Sequence, residues 1–109
     1  MTGTWTVRLV ATAELDFQAI IKRTAQEFSP RQAEAYADTL TLAIEALRAK
    51  GPKAIGVKER LALGPGIFAL HAARQKRNAS HFVVFRVVTP RTIEILRILH
   101  DRMDLARHV

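Results

Sequence analysis

Residues 24–36 read TAQEFSPRQAEAY, and the Ser29-Pro30 step at the centre divides two helices. Serine is a strong helix N-cap, and proline suits the first helical position, where its missing N–H costs nothing. Gln32 completes a Ser-x-x-Gln capping box. Upstream, Phe17, Ile20, Ile21, Thr24 and Phe28 fall at i, i+3, i+4, i+7 and i+11, an apolar helical stripe ending near Phe28. Downstream, Ala33, Tyr36, Ala37, Leu40, Ile44 and Leu47 form a second stripe, which Gly51-Pro52 stops. Helices joined by one or two residues fold back as an antiparallel hairpin. Thr12 is placed to cap the first helix, with Glu14 and Asp16 in its opening turn, where carboxylates meet the positive end of the dipole. Phe17, Ile21, Tyr36 and Leu40 are expected in the core.

Outside the hairpin the period changes. Trp5, Val7 and Leu9 alternate with Thr6 and Arg8, the pattern of a strand over residues 4–10. Residues 52–66 hold Pro52, Gly56, Gly64, Pro65 and Gly66 and read as a loop, with room for a short turn of helix near Lys58–Leu63. Three strand-like runs follow: Ile67–Ala73, His81–Val88 and Thr92–Leu99. The turns between them, Arg74–Ser80 and Thr89–Arg91, are short enough to demand antiparallel neighbours. The order is β-α-α-β-β-β, a single α+β domain over residues 1–109 with a helical hairpin packed on a mainly antiparallel sheet.

The 109-residue chain is 49% hydrophobic and carries 17 Lys+Arg against 10 Asp+Glu, a net charge of +7. Residues 1–45 hold four basic and six acidic side chains, net −2, whereas residues 46–109 hold thirteen and four, net +9. Such asymmetry points to a polyanion or an acidic protein as partner. Cysteine is absent, which removes disulfides, thiolate metal sites and thiol nucleophiles. No apolar run approaches the ~20 residues of a membrane span, and the first residues lack a signal peptide's basic start and apolar core. The expected location is cytoplasmic.

The residues that could do chemistry are few. His71, His81, His100 and His108 show no metal-ligand spacing, so neither metal nor cofactor is expected. Ser29 is taken up as a cap and Ser80 lies in a turn, which leaves no evident serine nucleophile. Gly64-Pro65-Gly66 is not a phosphate loop, because no Gly-Lys-Ser/Thr follows. The cations say more. Twelve of the seventeen are arginine, which grips phosphate or carboxylate bidentately. Arg74, Lys76 and Arg77 cluster in one turn. Arg86 and Arg97 each interrupt an apolar strand, and each therefore needs the solvent face, an acidic ligand or a buried partner. Arg97, His100, Asp101, Arg102, Asp104, Arg107 and His108 gather near the end of the chain. They can serve acid–base work on a phosphodiester, or the Arg/Asp pairs can pin the tail to the sheet.

Residues 93–109, IEILRILHDRMDLARHV, following SHFVVFRV at 80–87, resemble the RelE/ParE toxin superfamily of bacterial type II toxin–antitoxin modules, and the ParE branch is closest. The motif is Arg97-x-x-His100-x-x-Met103-Asp104 with a later His108, and the element order matches over nearly the whole chain. The resemblance implies a small toxin neutralised by a co-expressed antitoxin, whose C-terminal segment crosses the hairpin and the sheet. An acidic, amphipathic segment fits this basic chain, with a helix and strand received on exposed hairpin surface and an edge strand. ParE-like members poison DNA gyrase, whereas RelE-like relatives cut messenger RNA on the ribosome. In the nucleases an arginine stands on the central strand, and the matching position here is Phe82. The YoeB-like His-Tyr pair becomes His100-Asp101. Both departures favour a non-catalytic gyrase inhibitor over an endoribonuclease. The expected target-binding residues are Arg74, Lys76, Arg77, Arg86, Arg97, His100, Arg102 and Asp104. The alternative, an mRNA interferase, would use His100 as acid or base with Arg74, Lys76 and Arg97 on phosphate.

Overall fold

A computed structural model describes residues 4–88 and 90–103. The elements in chain order are β1 (Thr6–Leu9), α1 (Ala11–Glu27), α2 (Pro30–Lys50), β2 (Lys58–Glu59), β3 (Ile67–His71), β4 (His81–Val88) and β5 (Thr92–His100), with 3-10 turns at Gly51–Lys53 and Leu61–Leu63. The hairpin forms as the Ser29-Pro30 step requires. The Ser29 hydroxyl accepts the Gln32 N–H at 3.0 Å, and Pro30 is the first helical residue. Gly51 ends α2 at a φ of 61°, with the indole of Trp5 lying where a Cβ would project. Only glycine satisfies both the left-handed backbone and that contact.

The five strands run in the order β1-β5-β4-β3-β2. β1 lies parallel to β5, and the other pairings are antiparallel, so the sheet is mixed but mostly antiparallel. One face carries Leu70, Val83, Phe85, Ile93, Ile95 and Ile98 against Leu40, Ala43, Ile44 and Leu47 of α2 and Ala13 of α1. The other face buries a smaller patch of Ala69, Val84 and Leu99, packed by Leu63, Ile67 and Phe82. Strand alternation separates the two sets.

Several local expectations are corrected. The N-cap of α1 is Val10, not Thr12, and no side chain caps the helix. Val10 donates its N–H to the carbonyl of Ile95 at 3.0 Å, so the chain passes from sheet pairing into helix without a capping turn. Glu14 does sit in the first turn, but Asp16 lies beyond it and pairs with β5. Phe28 ends the first stripe yet is 68% exposed, because the chain turns away from the sheet at that residue. The Lys58–Leu63 stretch begins as a two-residue strand on β3 and turns only at Leu61–Leu63. β3 stops at His71, short of Ala73.

A basic cleft and its histidine network

β5 carries a bulge. Arg97 pairs with Val84 and Ile95 pairs with Phe85, leaving Leu96 as the additional residue. Ile98 thereby takes the core-facing place that strict alternation from Ile93 and Ile95 would give Arg97. The guanidinium turns to α1, where Nε and Nη2 of Arg97 donate to the Asp16 carboxylate at 2.7 and 3.1 Å. The Ile98 N–H donates to the same carboxylate at 2.9 Å. The pair is largely shielded, with side chains 27% and 16% exposed, and Asp16 raises the pKa of Arg97 through the hydrogen bond.

Beside this clamp three of the four histidines meet, although they are far apart in sequence. β4–β5 register sets His81 opposite His100, with ring centroids 5.2 Å apart, and β3–β4 register sets His71 opposite Phe82. Backbone N–H donors define the tautomers of His71 and His100. His71 Nδ1 accepts the Ala73 N–H, so its Nε2 carries the proton and donates to Asp101 at 3.0 Å. His100 Nδ1 accepts the Arg102 N–H at 3.1 Å. The other Asp101 oxygen lies 3.4 Å from that same nitrogen. Since His100 Nδ1 is already an acceptor, the bond from His71 is the one that holds Asp101, and it keeps that carboxyl below its usual range. His81 Nδ1 and the Tyr36 hydroxyl share a hydrogen bond at 2.6 Å, and Tyr36 Oη accepts the Ser80 N–H at 2.9 Å. Burial, and then the neighbouring His100, pushes His81 down to about 4, while burial pushes Tyr36 up.

The clamp, with Tyr36, His81 and His100 of the network, forms one wall of a cleft of about 1090 Å³ between the hairpin tip and the end of the sheet. Arg23, Arg77, Arg97 and Arg102 line it against Asp16 and Glu27, over an apolar floor that includes Ile20 and Ile98. Phe28 and Met103, 68% and 45% exposed, stand among the lining residues.

The expected site residues divide into three places. Arg97, His100, Arg102 and Arg77 line the cleft. Arg77 is also a structural tie, donating to Thr39 Oγ1 at 2.9 Å and to the Ala35 carbonyl at 3.3 Å, which anchors the β3–β4 turn on α2. Arg74 reaches the Ile55 carbonyl, and Lys76 is exposed on that turn at a φ of 67°, so neither joins the cleft. Arg86 belongs to the opposite sheet face, where it binds Glu94 at 2.7 Å. Asp104, Arg107 and His108 lie outside the described residues. Asp16, Arg23, Tyr36 and His81 were not among the expected site residues. Only a topology that brings the α1 face and the β4 start to the end of β5 reveals them.

A two-helix hairpin on a mixed, mostly antiparallel five-strand sheet is the RelE/ParE-like fold. A family model described as ParE toxin of type II toxin–antitoxin system, parDE, matches residues 7–105. The chain belongs to that ParE toxin family. Curated proteins gave no sequence match. Among solved structures, a chain of the chromosomal ParDE system from P. aeruginosa superposes with a TM-score of 0.70 at 20% identity, covering 91% of this chain and 98% of that one. A chain of the toxin–antitoxin complex RelBE2 from Mycobacterium tuberculosis gives 0.56 at 20% identity, covering 89% and 98%. At that identity both speak for the fold. Among the described residues, no helix is long and apolar enough to cross a membrane.

Proposed function

We propose that this ParE-family toxin inhibits DNA gyrase without cutting nucleic acid itself, and that a cognate antitoxin neutralises it. The observation that carries the first part is the surrounding of Phe82. At the strand position where RelE-like nucleases resemble one another in an arginine, this chain packs Phe82 into the apolar patch of Ala69, Val84 and Leu99. Arg60 lies over its ring, 4.9 Å from the centroid. A phenyl ring there offers no hydrogen bond to a phosphate. The histidines point the same way. Nδ1 of His71 and of His100 already accepts a backbone N–H within the fold. In the neutral ring the remaining nitrogen, Nε2, carries the proton and has no lone pair with which to act as general base. Purified toxin in a gyrase supercoiling assay tests this reading, and full supercoiling at excess toxin overturns it.

The antitoxin reading draws on the cleft. Four arginines against two carboxylates favour an acidic segment, and the apolar floor with Phe28 and Met103 favours an amphipathic one. The matched folds come from a ParDE system and a RelBE2 toxin–antitoxin complex. Phe28→Glu is expected to weaken antitoxin binding by at least tenfold in calorimetry while leaving the thermal midpoint unchanged, since Phe28 is exposed.

The interferase reading retains one supporting observation, that His100 and Arg97 share the cleft wall. Toeprinting of a translated message tests it. Cuts at A-site codons that vanish in His100→Ala would establish it over the gyrase reading.

A further inference from the structure

The sheet face away from the helices carries a charged arrangement that neither cleft nor core uses. Registers β1–β5 and β4–β5 place Arg8, Glu94 and Arg86 in one row across three strands. Glu94 takes Arg8 Nη2 on one oxygen at 2.8 Å, and Arg86 Nη2 and Nε on the other at 2.7 and 3.0 Å. The carboxylate is the shielded member, its side chain 14% exposed against 61% for Arg8 and 52% for Arg86. A carboxylate held beneath two guanidinia fixes their positions, yet each arginine has five N–H donors and spends only one or two of them.

Two strand spacings, about 10 Å, separate the backbones that carry the two arginines. Thr6, exposed, lies on the same face next to this row. Lys58 is in register with Ala69 and so shares this face, and Arg60 lies over it on Phe82. Four cations thus stand against Glu94 across this part of the sheet.

We propose that this face is a docking surface for the phosphate backbone of duplex DNA, with Arg8 and Arg86 as a preorganised pair of phosphate ligands. The occupant follows from charge and hydroxyl chemistry. Beside the apolar patch around Val84 and Phe82, the Arg8–Glu94–Arg86 row with Thr6 presents guanidinia and a hydroxyl, the group set that contacts DNA backbone. Gyrase acts on DNA, so the surface deepens the gyrase reading and rests on it for its biological meaning. The binding itself is measurable without gyrase. The surface is also on the opposite side of the sheet from the helical layer, which separates DNA contact from the cleft.

The test is fluorescence anisotropy of a short labelled DNA duplex titrated with purified toxin over a range of salt. Wild-type toxin is expected to bind at low salt, with log K falling linearly against log salt. The variant R8Q/E94Q/R86Q removes one net positive charge, and Lys22→Gln, on the helical layer, removes the same charge. The triple variant is expected to bind at least about tenfold more weakly and to lose about two from the salt slope, one per arginine contact. Lys22→Gln should stay close to wild type. Equal losses in the triple variant and Lys22→Gln would overturn the proposal, as would absence of wild-type binding at low salt. DNA binding that persists in a toxin with no effect on supercoiling would refute the gyrase reading alone.

Discussion

Asp16 shows how one residue can be read correctly as polar and still be assigned the wrong task. In sequence it stands four residues after Thr12 and suits a helix dipole, yet its carboxylate takes three hydrogen bonds from Arg97 and Ile98. Removing one partner strands the other, partly shielded, so Asp16→Ala and Arg97→Ala are each expected to cost about 1.5–3 kcal/mol in chemical denaturation. The double variant should cost less than the sum of the two. Arg97 itself was legible as a strand arginine in need of a partner. Its partner was not, because the contact spans 81 positions and depends on a bulge at Leu96 that no local pattern announces. Tyr36 is a similar case. Its place on an apolar stripe predicts burial, which holds only in part, while its hydroxyl joins His81 to the Ser80 N–H. Tyr36→Phe is expected to destabilise by about 1–2 kcal/mol, since it leaves His81 Nδ1 and the Ser80 N–H without that oxygen.

Elements were most legible where the local chemistry acts within a few residues. Ser29, Pro30 and Gln32 mark the hairpin turn because a cap and its N–H are neighbours in sequence. Ser29→Ala is expected to cost about 1 kcal/mol in thermal or urea unfolding. Thr12 misled because the same signals carry no information about Val10, whose N–H is already engaged by the parallel strand β5. β2 escaped notice because two residues present no periodicity. Gly51→Ala tests the far end of α2. The left-handed backbone and the Trp5 indole both oppose a Cβ, so a loss of at least about 1–3 kcal/mol is expected, with altered tryptophan fluorescence.

At the scale of the molecule, the described cations of residues 46–109 do not gather on one surface. Part lines the cleft, part lies on the outer sheet face, and Arg77 and Arg97 are committed to holding the layers together. Charge composition alone gives the total and not this partition, since facing depends on register. The histidine network adds a pH dependence. His81 titrates near 4 in the fold, below its unfolded value near 6.5, so the unfolded chain binds more protons between those limits. Its contribution to stability is therefore complete above about pH 6.5 and is lost as pH falls toward 4. Proton NMR should show the His81 ring still neutral at pH 5, and His81→Gln should flatten the stability profile by up to one proton across that window.

The family, the apolar surrounding of Phe82 and the engaged histidine nitrogens together support a toxin that acts by binding. Gyrase supercoiling of relaxed plasmid, followed as toxin is titrated and antitoxin then added, tests that claim most directly. The account predicts dose-dependent loss of supercoiling, reversed by antitoxin. Supercoiling that continues at excess toxin, while the same preparation cleaves ribosome-bound message, would contradict it.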